Sequence, residues 1–260
     1  MKFILTITLS IYLLLSCLLT AHAKDEQIAN KVTLTVAIES NGYFPYNYEE
    51  GSEIKGFTVD ILEYFEENSS YNFEFIILPW ERALYLVKQG NVDLILTFFK
   101  NSVREKNYHF IEPFYGYEVN QLFVLSDSSF KFKGSLKQLA TYSIGTKRGY
   151  SYGELFDQAD YLTKLPTINE ETLLKLLLSR QIDMAISNPY IFRRMALEQS
   201  AFDKVKALEP YVAKTPVYFG LTKTRQDSLK IKRILGELTT KLKTSSYYQE
   251  LLDKYQLNFE

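Results

Sequence analysis

Between residues 32 and 96, three apolar segments typical of strands alternate with two segments typical of helices. The first alternates apolar and polar residues, and the third is a short apolar run, interrupted only by Asp93, of the kind found in strands buried on both faces. The predicted strands are Val32–Glu39, Asn72–Leu78 and Val92–Leu96. Thr58 is the predicted N-cap of the first helix, and the second begins after Pro79 and ends at Gly90. This β-α-β-α-β order predicts an α/β fold with a parallel sheet.

The third predicted strand runs into two adjacent aromatic residues, Phe98 and Phe99. A helix start follows, with Asn101 or Ser102 as the N-cap and Arg104 in the first turn. In open α/β sheets, ligands bind where strands end and helices begin. The sequence therefore predicts a site where aromatic rings and a guanidinium group lie together at the N-terminus of one helix.

A second α/β series follows a strand predicted over Val119–Leu125. Its apolar patterns again alternate between those of strands and those of amphipathic helices. The predicted strands are Thr141–Gly145, Ile182–Ser187 and Pro216–Thr222, and the predicted helices are Thr172–Arg180 and Asp227–Leu242. Both series run strand-helix-strand, and no sequence repeat relates them.

Residues 1–23 have the organisation of a secretory signal peptide. Lys2 supplies the positive charge, an apolar core follows, and Ala21-His22-Ala23 has the small-x-small pattern of a cleavage site. We expect cleavage before Lys24 and export to the periplasm. The alternative is a lipoprotein signal in which Cys17 is acylated. After residue 23, no stretch is apolar for long enough to span a bilayer.

The composition excludes several function classes. Cys17 is the only cysteine, so a chain cleaved after Ala23 has no disulfide and no thiol nucleophile. A formal net charge of −1 argues against a nucleic-acid partner. His109 is the only histidine after the leader, and hydrolase, zinc and phosphate-loop motifs are missing, so neither a metal nor a cofactor is expected. Aromatic residues make up 15% of the chain, which favours stacking on a ligand.

Five motifs in a fixed order resemble those of the bacterial extracellular solute-binding proteins of family 3, the amino-acid-type binding proteins. The resemblance covers nearly the whole chain after the leader. The matching segments are Tyr43-Phe44-Pro45-Tyr46, Gly56-Phe57-Thr58-Val59-Asp60, Trp80 with Gly90-Asn91-Val92-Asp93, Arg104 with Phe110-x-x-Pro113-Phe114, and Ser245-Ser246-Tyr247-Tyr248 with Asp253-Lys254-Tyr255.

The resemblance implies two α/β lobes that are joined by two crossing strands and close on a ligand. It implies a periplasmic-binding-protein-like fold (type II) with two parallel or mixed sheets and flanking helices. Lobe 1 is expected over residues 24–121 and 219–260, and lobe 2 over residues 122–218. The hinges are expected near residues 120–123 and 218–221. The resemblance further implies a small-molecule ligand, delivery to an ABC-type permease in the inner membrane, and a monomer.

The resemblance also assigns a carboxylate clamp. Arg104 matches the arginine whose guanidinium forks onto the ligand's carboxylate, a geometry that gives two parallel charge-assisted hydrogen bonds. Ser151 matches a turn whose hydroxyl and backbone N–H groups sit at a helix start, a geometry that suits an anion. Lys147 and Arg148 precede this turn and are interpreted as a solvated pair.

Further ligand contacts are expected on both sides of the cleft. The rings expected to enclose the ligand are Tyr46, Phe44, Trp80 and Phe98, with Arg82 as an additional cation. Asn188 stands where amino-acid binders of this family have an Asp for the ligand's ammonium group, and an amide cannot neutralise an ammonium. The spacing from Asp93 to Arg104 is also one residue shorter than the family pattern. The sequence therefore leaves open whether the ligand is an α-amino acid.

Three function classes remain. The first is a binding protein that captures a small polar or carboxylated molecule without changing it. The second is a dehydratase-like enzyme acting on a small carboxylic acid, since acidic residues in the cleft would permit one. The third is a secreted sensor module that passes a ligand signal to a membrane partner. The sequence favours the first, in which Arg104 and Ser151 hold an anionic group and Asn188 binds the far end of the ligand.

Overall fold

A computed structural model describes residues 31–40 and 42–259, and the expected leader with Cys17 lies outside them. Ten strands make up the sheets of this part of the chain. They are β1 Val32–Glu39, β2 Tyr48–Glu50, β3 Glu53–Lys55, β4 Tyr71–Leu78, β5 Leu94–Phe99, β6 Tyr108–Leu125, β7 Ser143–Lys147, β8 Thr163–Thr167, β9 Met184–Ser187 and β10 Val205–Thr222.

Helices connect most of these strands. They are α1 Phe57–Glu67, α2 Trp80–Gln89, α3 Ser102–Asn107, α4 Glu154–Asp157, α5 Glu170–Leu178, α6 Pro189–Glu198, α7 Ser228–Lys243 and α8 Ser246–Lys254. Within the described residues, no helix is long and apolar enough to cross a membrane.

Eight strands form one mixed sheet in the order β4-β1-β5-β10-β6-β9-β7-β8. The strands β4, β1 and β5 are parallel to one another, as are β9, β7 and β8. Between these two groups, β6 and β10 run antiparallel to each other and to their outer neighbours. The α/β class is confirmed, but the two expected sheets share β6 and β10 and form one hydrogen-bonded ladder.

We call the group β4, β1 and β5 with its helices the first half, and the group β9, β7 and β8 with its helices the second half. The two central strands, β6 and β10, each contain 18 residues and pass through both halves of the sheet. In β10, Val217 and Tyr218 already pair with β5 of the first half. The pair Val119 and Lys214 lies between the regions in which β10 contacts the two groups of parallel strands. We therefore propose that the lobes meet near this pair, which would place the crossing in β10 a few residues before the expected hinge at residues 218–221.

The C-terminal tail packs on the first half. Apolar residues of α7 and α8 join the core that β1, α1 and β5 form. The ammonium group of Lys254 donates to the Asp60 carboxylate at 2.6 Å, and the Tyr255 hydroxyl donates to the same oxygen at 3.0 Å. Two of the five sequence motifs, almost 200 residues apart, are thus in direct contact.

Another motif residue, Asp93, also fixes the first half of the sheet. One carboxylate oxygen accepts from the backbone N–H of Thr35 at 2.8 Å and from its hydroxyl at 2.9 Å. The other oxygen accepts from Arg225 at 3.0 Å. Asp93 therefore ties β1 to the start of β5 and to the loop before α7, a structural role.

Several sequence predictions about elements need correction. Thr58 does not cap α1, which has Gly56 at its N-cap, and its fully buried side chain lies inside the first turn. The third strand does not stop before Phe98 but includes both rings, because their backbones pair with β10. The strand predicted from Val119 begins eleven residues earlier, at Tyr108.

Candidate ligand-binding site

A cavity lies between the two halves of the molecule, at the ends of β1, β5 and β7. Its lining combines aromatic rings, an arginine and two carboxylates. The lining residues are Ala37, Ile38, Glu39, Tyr43, Asn47, Trp80, Leu96, Thr97, Phe99, Arg104, Glu118, Tyr150 and Ser151. Ligands of α/β sheets bind at such strand ends, as the sequence predicted for β5.

Arg104 is a buried cation in the lining of this cavity. Only 9% of its surface is exposed, and its guanidinium donates to the backbone carbonyl of Phe99 at 3.1 Å and to that of Gly149 at 3.2 Å. The guanidinium carbon lies 4.4 Å from the centre of the Phe98 ring. Burial lowers the pKa of Arg104 to about 10, so the group is charged at neutral pH. No carboxylate of the described residues lies within ion-pair distance of it.

The helix that carries Arg104 begins at a side-chain cap. The Asn101 side-chain oxygen accepts from the backbone N–H of Arg104 at 2.9 Å, which resolves the two predicted cap candidates in favour of Asn101 over Ser102. This bond fixes the first turn, and with it the direction from which Arg104 enters the cavity.

Replacing Asn101 with alanine is expected to lower the free energy of unfolding by about 1 kcal/mol, since an N-cap is lost. Ser102→Ala is the matched control, because Ser102 makes no cap bond, and we expect a change of less than about 0.5 kcal/mol. Urea denaturation of both variants measures the difference. Equal losses in the two would contradict the assignment of the cap.

A second buried cation, Lys147 at the end of β7, bridges the two halves. Its ammonium group contacts Glu39 of β1 and lies 3.0 Å from a carboxylate oxygen of Glu170, the first residue of α5. It also donates to the Tyr150 hydroxyl at 3.0 Å, and that hydroxyl donates to the second oxygen of Glu39. The Lys147 side chain is 3% exposed. The interpretation of Lys147 as a solvated residue is therefore wrong: only Arg148 is exposed.

Glu118 is a buried carboxylate on the other side of the cavity. It lies in the middle of β6, is 3% exposed, and accepts a hydrogen bond from the Tyr43 hydroxyl. Burial raises the pKa of Glu118 to about 8. The side-chain oxygen of Asn47, which also lines the cavity, is buried and has no hydrogen-bond partner in the described structure. These acceptors leave hydrogen-bonding capacity for a donor that enters the cavity.

Trp80 and Ser151, both predicted from the sequence, line the same cavity as Arg104. The Trp80 indole N–H donates to the Gly149 carbonyl at 3.0 Å. The Trp80 ring packs edge-on against the Tyr150 ring, with 5.2 Å between the ring centroids. The Ser151 hydroxyl donates to Asp157. The helix expected at Ser151 begins only at Glu154 and has four residues, so the predicted anion site at a helix start is not formed.

The other candidates lie outside the lining of this cavity, for identifiable reasons. Tyr46 is in the core with its hydroxyl on the Tyr117 carbonyl, and Phe44 packs against Tyr48. Phe98 is fully buried beneath Arg104, so it supports the guanidinium from below. The remaining two are Asn188, whose side-chain oxygen caps α6 at the Tyr190 N–H, and Arg82, which is exposed beside Tyr85.

Sequence reasoning missed most of the charged residues in the cavity and beside it. Glu39 and Lys147 are the last residues of their strands, so the rule that sites form at strand ends would have selected both. Glu118 lies inside an 18-residue strand and carried no such signal. Among residues 31–40 and 42–259, no group of three potential ligands could hold a metal ion.

The cavity has a small volume. Its free volume is about 30 Å³, room for one or two water molecules. A wider groove of about 540 Å³ adjoins it, and Arg104, Tyr150 and Ser151 line both. This volume is too small for an amino-acid-sized molecule while the two halves are arranged as they are here.

Comparisons with known proteins agree with this architecture. The model of the bacterial extracellular solute-binding proteins, family 3, matches residues 34–258. A protein of Campylobacter jejuni described as a probable histidine-binding protein is 21% identical over 243 residues, which are 92% of this chain and 90% of the relative.

Two solved structures show the same fold. A histidine kinase sensor domain with similarity to periplasmic binding proteins matches with a TM-score of 0.76 at 16% identity, over 87% of this chain and 97% of the other. AncCDT-1, an ancestral amino-acid-binding protein and precursor of cyclohexadienyl dehydratase, matches with a TM-score of 0.69 at 17% identity, over 91% and 98%. The match of the family model over most of the sequence shows that the chain belongs to the bacterial extracellular solute-binding proteins of family 3.

Proposed function

We propose that this protein is a periplasmic solute-binding protein that captures a small carboxylated molecule, an α-amino acid in the first instance, and releases it unchanged. The observation that carries the proposal is Arg104, a buried guanidinium that faces a cavity between two lobes and has no carboxylate partner among the described residues. A buried charge without a partner is costly. A ligand carboxylate would supply that partner.

Closure of the lobes would complete the site. Arg104 and Trp80 belong to the first half and both donate to the Gly149 carbonyl of the second. Because the closed cavity holds only one or two waters, we propose that ligand binds to an open form and that the halves close on it by rotation about β6 and β10. Ser151 and Tyr150 of the second half would then contact the bound molecule.

We infer the biological setting from the family. One relative is described as a probable histidine-binding protein, which favours an amino acid as the ligand here. Delivery to an ABC-type permease of the inner membrane, export through the leader at residues 1–23, and a monomeric state are parts of this proposal.

A thermal-shift screen of residues 24–260 against amino acids, organic acids and aromatic acids tests the proposal. A ligand that binds only the folded state raises the melting temperature as its concentration increases. At 100 times Kd, it adds about 2.7 kcal/mol to the free energy of unfolding. Isothermal titration calorimetry then gives Kd and stoichiometry. If every carboxylated compound leaves the melting temperature unchanged, the proposed function is wrong.

A dehydratase-like activity is the second candidate, and one observation favours it. Glu118 faces the cavity with its pKa raised to about 8, so it is protonated at neutral pH and able to act as an acid. One structural relative is also a precursor of a dehydratase. Mass spectrometry of each bound compound after incubation separates the two functions, because dehydration removes 18 mass units and binding changes nothing.

A sensor module is the third candidate, since one matching structure is the sensor domain of a histidine kinase. It would share the same ligand site, so its distinguishing property is the partner. Co-purification with a membrane kinase rather than a permease, under native expression, would favour it.

A further inference from the structure

Among the described residues, Glu39 and Glu118 line the cavity and Glu170 lies next to it on Lys147. All three carboxylates are buried, and two of them have a cation as partner. Lys147 contacts Glu39 and Glu170 together, and Tyr150 donates to the remaining oxygen of Glu39. These four side chains come from both halves of the molecule, so the pairing forms as the halves close. Glu118 accepts from the neutral Tyr43 hydroxyl and makes no ion pair within the part of the chain that the structure describes.

On the basis of the proposed function, we infer that Lys147 restricts the ligand to one cationic group, held at Glu118 and Asn47, and excludes amino acids with a cationic side chain. A ligand carboxylate pairs with Arg104. The α-ammonium group meets the Glu118 carboxylate and the unpartnered Asn47 oxygen, both in the lining of the same cavity.

In the cavity, a second cation on the ligand finds no unoccupied acid, because Lys147 holds Glu39 and Glu170. Asp157, which lines the adjoining groove, already accepts from the Ser151 hydroxyl and the Tyr152 N–H. Unpaired charges are expensive to bury, so a lysine or arginine ligand would have to displace Lys147. Lys147 belongs to the same chain, which gives it a high effective concentration at the two acids, and a free ligand competes poorly against it. The residue thus acts as a built-in substitute for a cationic ligand side chain.

Binding of the ammonium group at Glu118 is compatible with an amide, rather than an acid, at Asn188. The Asn188 side chain caps α6 and lies outside the cavity lining, so it does not contact an ammonium group in the cavity. Glu118, on β6, takes that task from the other wall of the cavity. The selected ligand class is therefore a zwitterion with one carboxylate and one ammonium group and a neutral side chain.

Arginine and citrulline provide a matched pair of probes, since they have the same shape and only arginine has a charged side chain. In the native protein, we expect citrulline and the neutral amino acids to bind at least tenfold more tightly than arginine and lysine. In Lys147→Gln, Glu39 and Glu170 have lost their cation, so arginine or lysine should gain at least tenfold in affinity. Arg148→Gln, the exposed neighbour, is the control and should keep the native preference.

Calorimetric titrations of the three proteins decide the matter. Native protein that binds arginine as tightly as citrulline overturns the inference. It is also overturned if Lys147→Gln still binds neutral amino acids but gains nothing for arginine or lysine. If Lys147→Gln does not fold, the double variant Lys147→Gln, Glu170→Gln leaves one acid in place of two and is expected to show the same gain. If no amino acid binds the native protein, this inference is overturned, whereas the proposed function fails only if no carboxylated compound binds.

Discussion

Replacing Arg104 with alanine is expected to weaken the binding of a carboxylated ligand by about 30-fold or more. Removing one partner of a buried, hydrogen-bonded charge pair costs about 2–5 kcal/mol, because the other charge stays buried and unpaired. Each 1.4 kcal/mol corresponds to a factor of about ten in Kd. Arg104→Lys should restore only part of the affinity, since an ammonium cannot make two parallel bonds to a carboxylate.

The surroundings of Arg104 are the reason for expecting so large an effect. Phe98 supports one face of the guanidinium, and the Phe99 carbonyl of the same half accepts a hydrogen bond from it. The charge is therefore held in position before the ligand arrives, so little side-chain entropy is lost on binding. An exposed arginine that must be ordered by its ligand would contribute much less.

Titration calorimetry on Arg104→Ala, Arg104→Lys and Arg233→Ala tests this. Arg233 is an exposed residue of α7 paired with Glu237, so its removal controls for the loss of one positive charge. The melting temperature of each protein without ligand shows whether the fold survives. Native affinity in a folded Arg104→Ala variant would remove the carboxylate clamp from the proposed function.

Local patterns in the sequence predicted the first half of the fold well. The alternation in Val32–Glu39 gave β1 with both ends correct, and Gly90 ends α2 in the left-handed conformation that glycine adopts without cost. The long β6 and β10 were predicted only in part. Their continuation across both halves depends on pairing between residues about 100 positions apart, and local propensity carries no information on such pairs.

The site was harder to predict than the fold for the same reason. Arg104 and Trp80 carried a signal because they stand at helix starts next to strand ends. Glu118 lies in the middle of a strand, and its burial depends on Tyr43 from a distant loop. Lys147 was interpreted as solvated, since a lysine beside Arg148 is usually exposed. Its two acidic partners, 108 and 23 residues away, could not be paired with it from spacing alone.

Glu118 is expected to make the unliganded protein less stable as the pH rises from about 5 to 8. Burial holds the pKa of this carboxyl group near 8, against 4.5 for the exposed group. Between these values the unfolded chain releases the proton and the folded protein keeps it, so the free energy of unfolding falls with rising pH. At about 1.4 kcal/mol for each pKa unit, the total loss is on the order of 4–5 kcal/mol.

Glu118→Gln cannot titrate, so its stability relative to the native protein should improve by several kcal/mol over this pH range. The surrounding groups act in both directions on the titration: Glu170 raises the pKa of Glu118, and the Tyr43 hydrogen bond and the charges of Arg104 and Lys147 lower it. Urea denaturation at pH 5, 6, 7 and 8 measures the change. Glu112→Gln is the matched control in the same strand, because Lys100 lowers the pKa of that half-exposed carboxyl group and it is ionised throughout.

The same proton connects stability to ligand recognition. An ammonium group pairs with Glu118 only when the carboxyl group is ionised, so binding of a zwitterion must release the proton below about pH 8. Its affinity should therefore rise by up to tenfold for each pH unit from 6 towards 8, and calorimetry in two buffers of different ionisation enthalpy should count close to one proton released at pH 7. In Glu118→Gln both effects should disappear and the affinity should fall. A Kd that is constant between pH 6 and 8, or an unchanged affinity in Glu118→Gln, would mean that the ligand's ammonium group is held elsewhere.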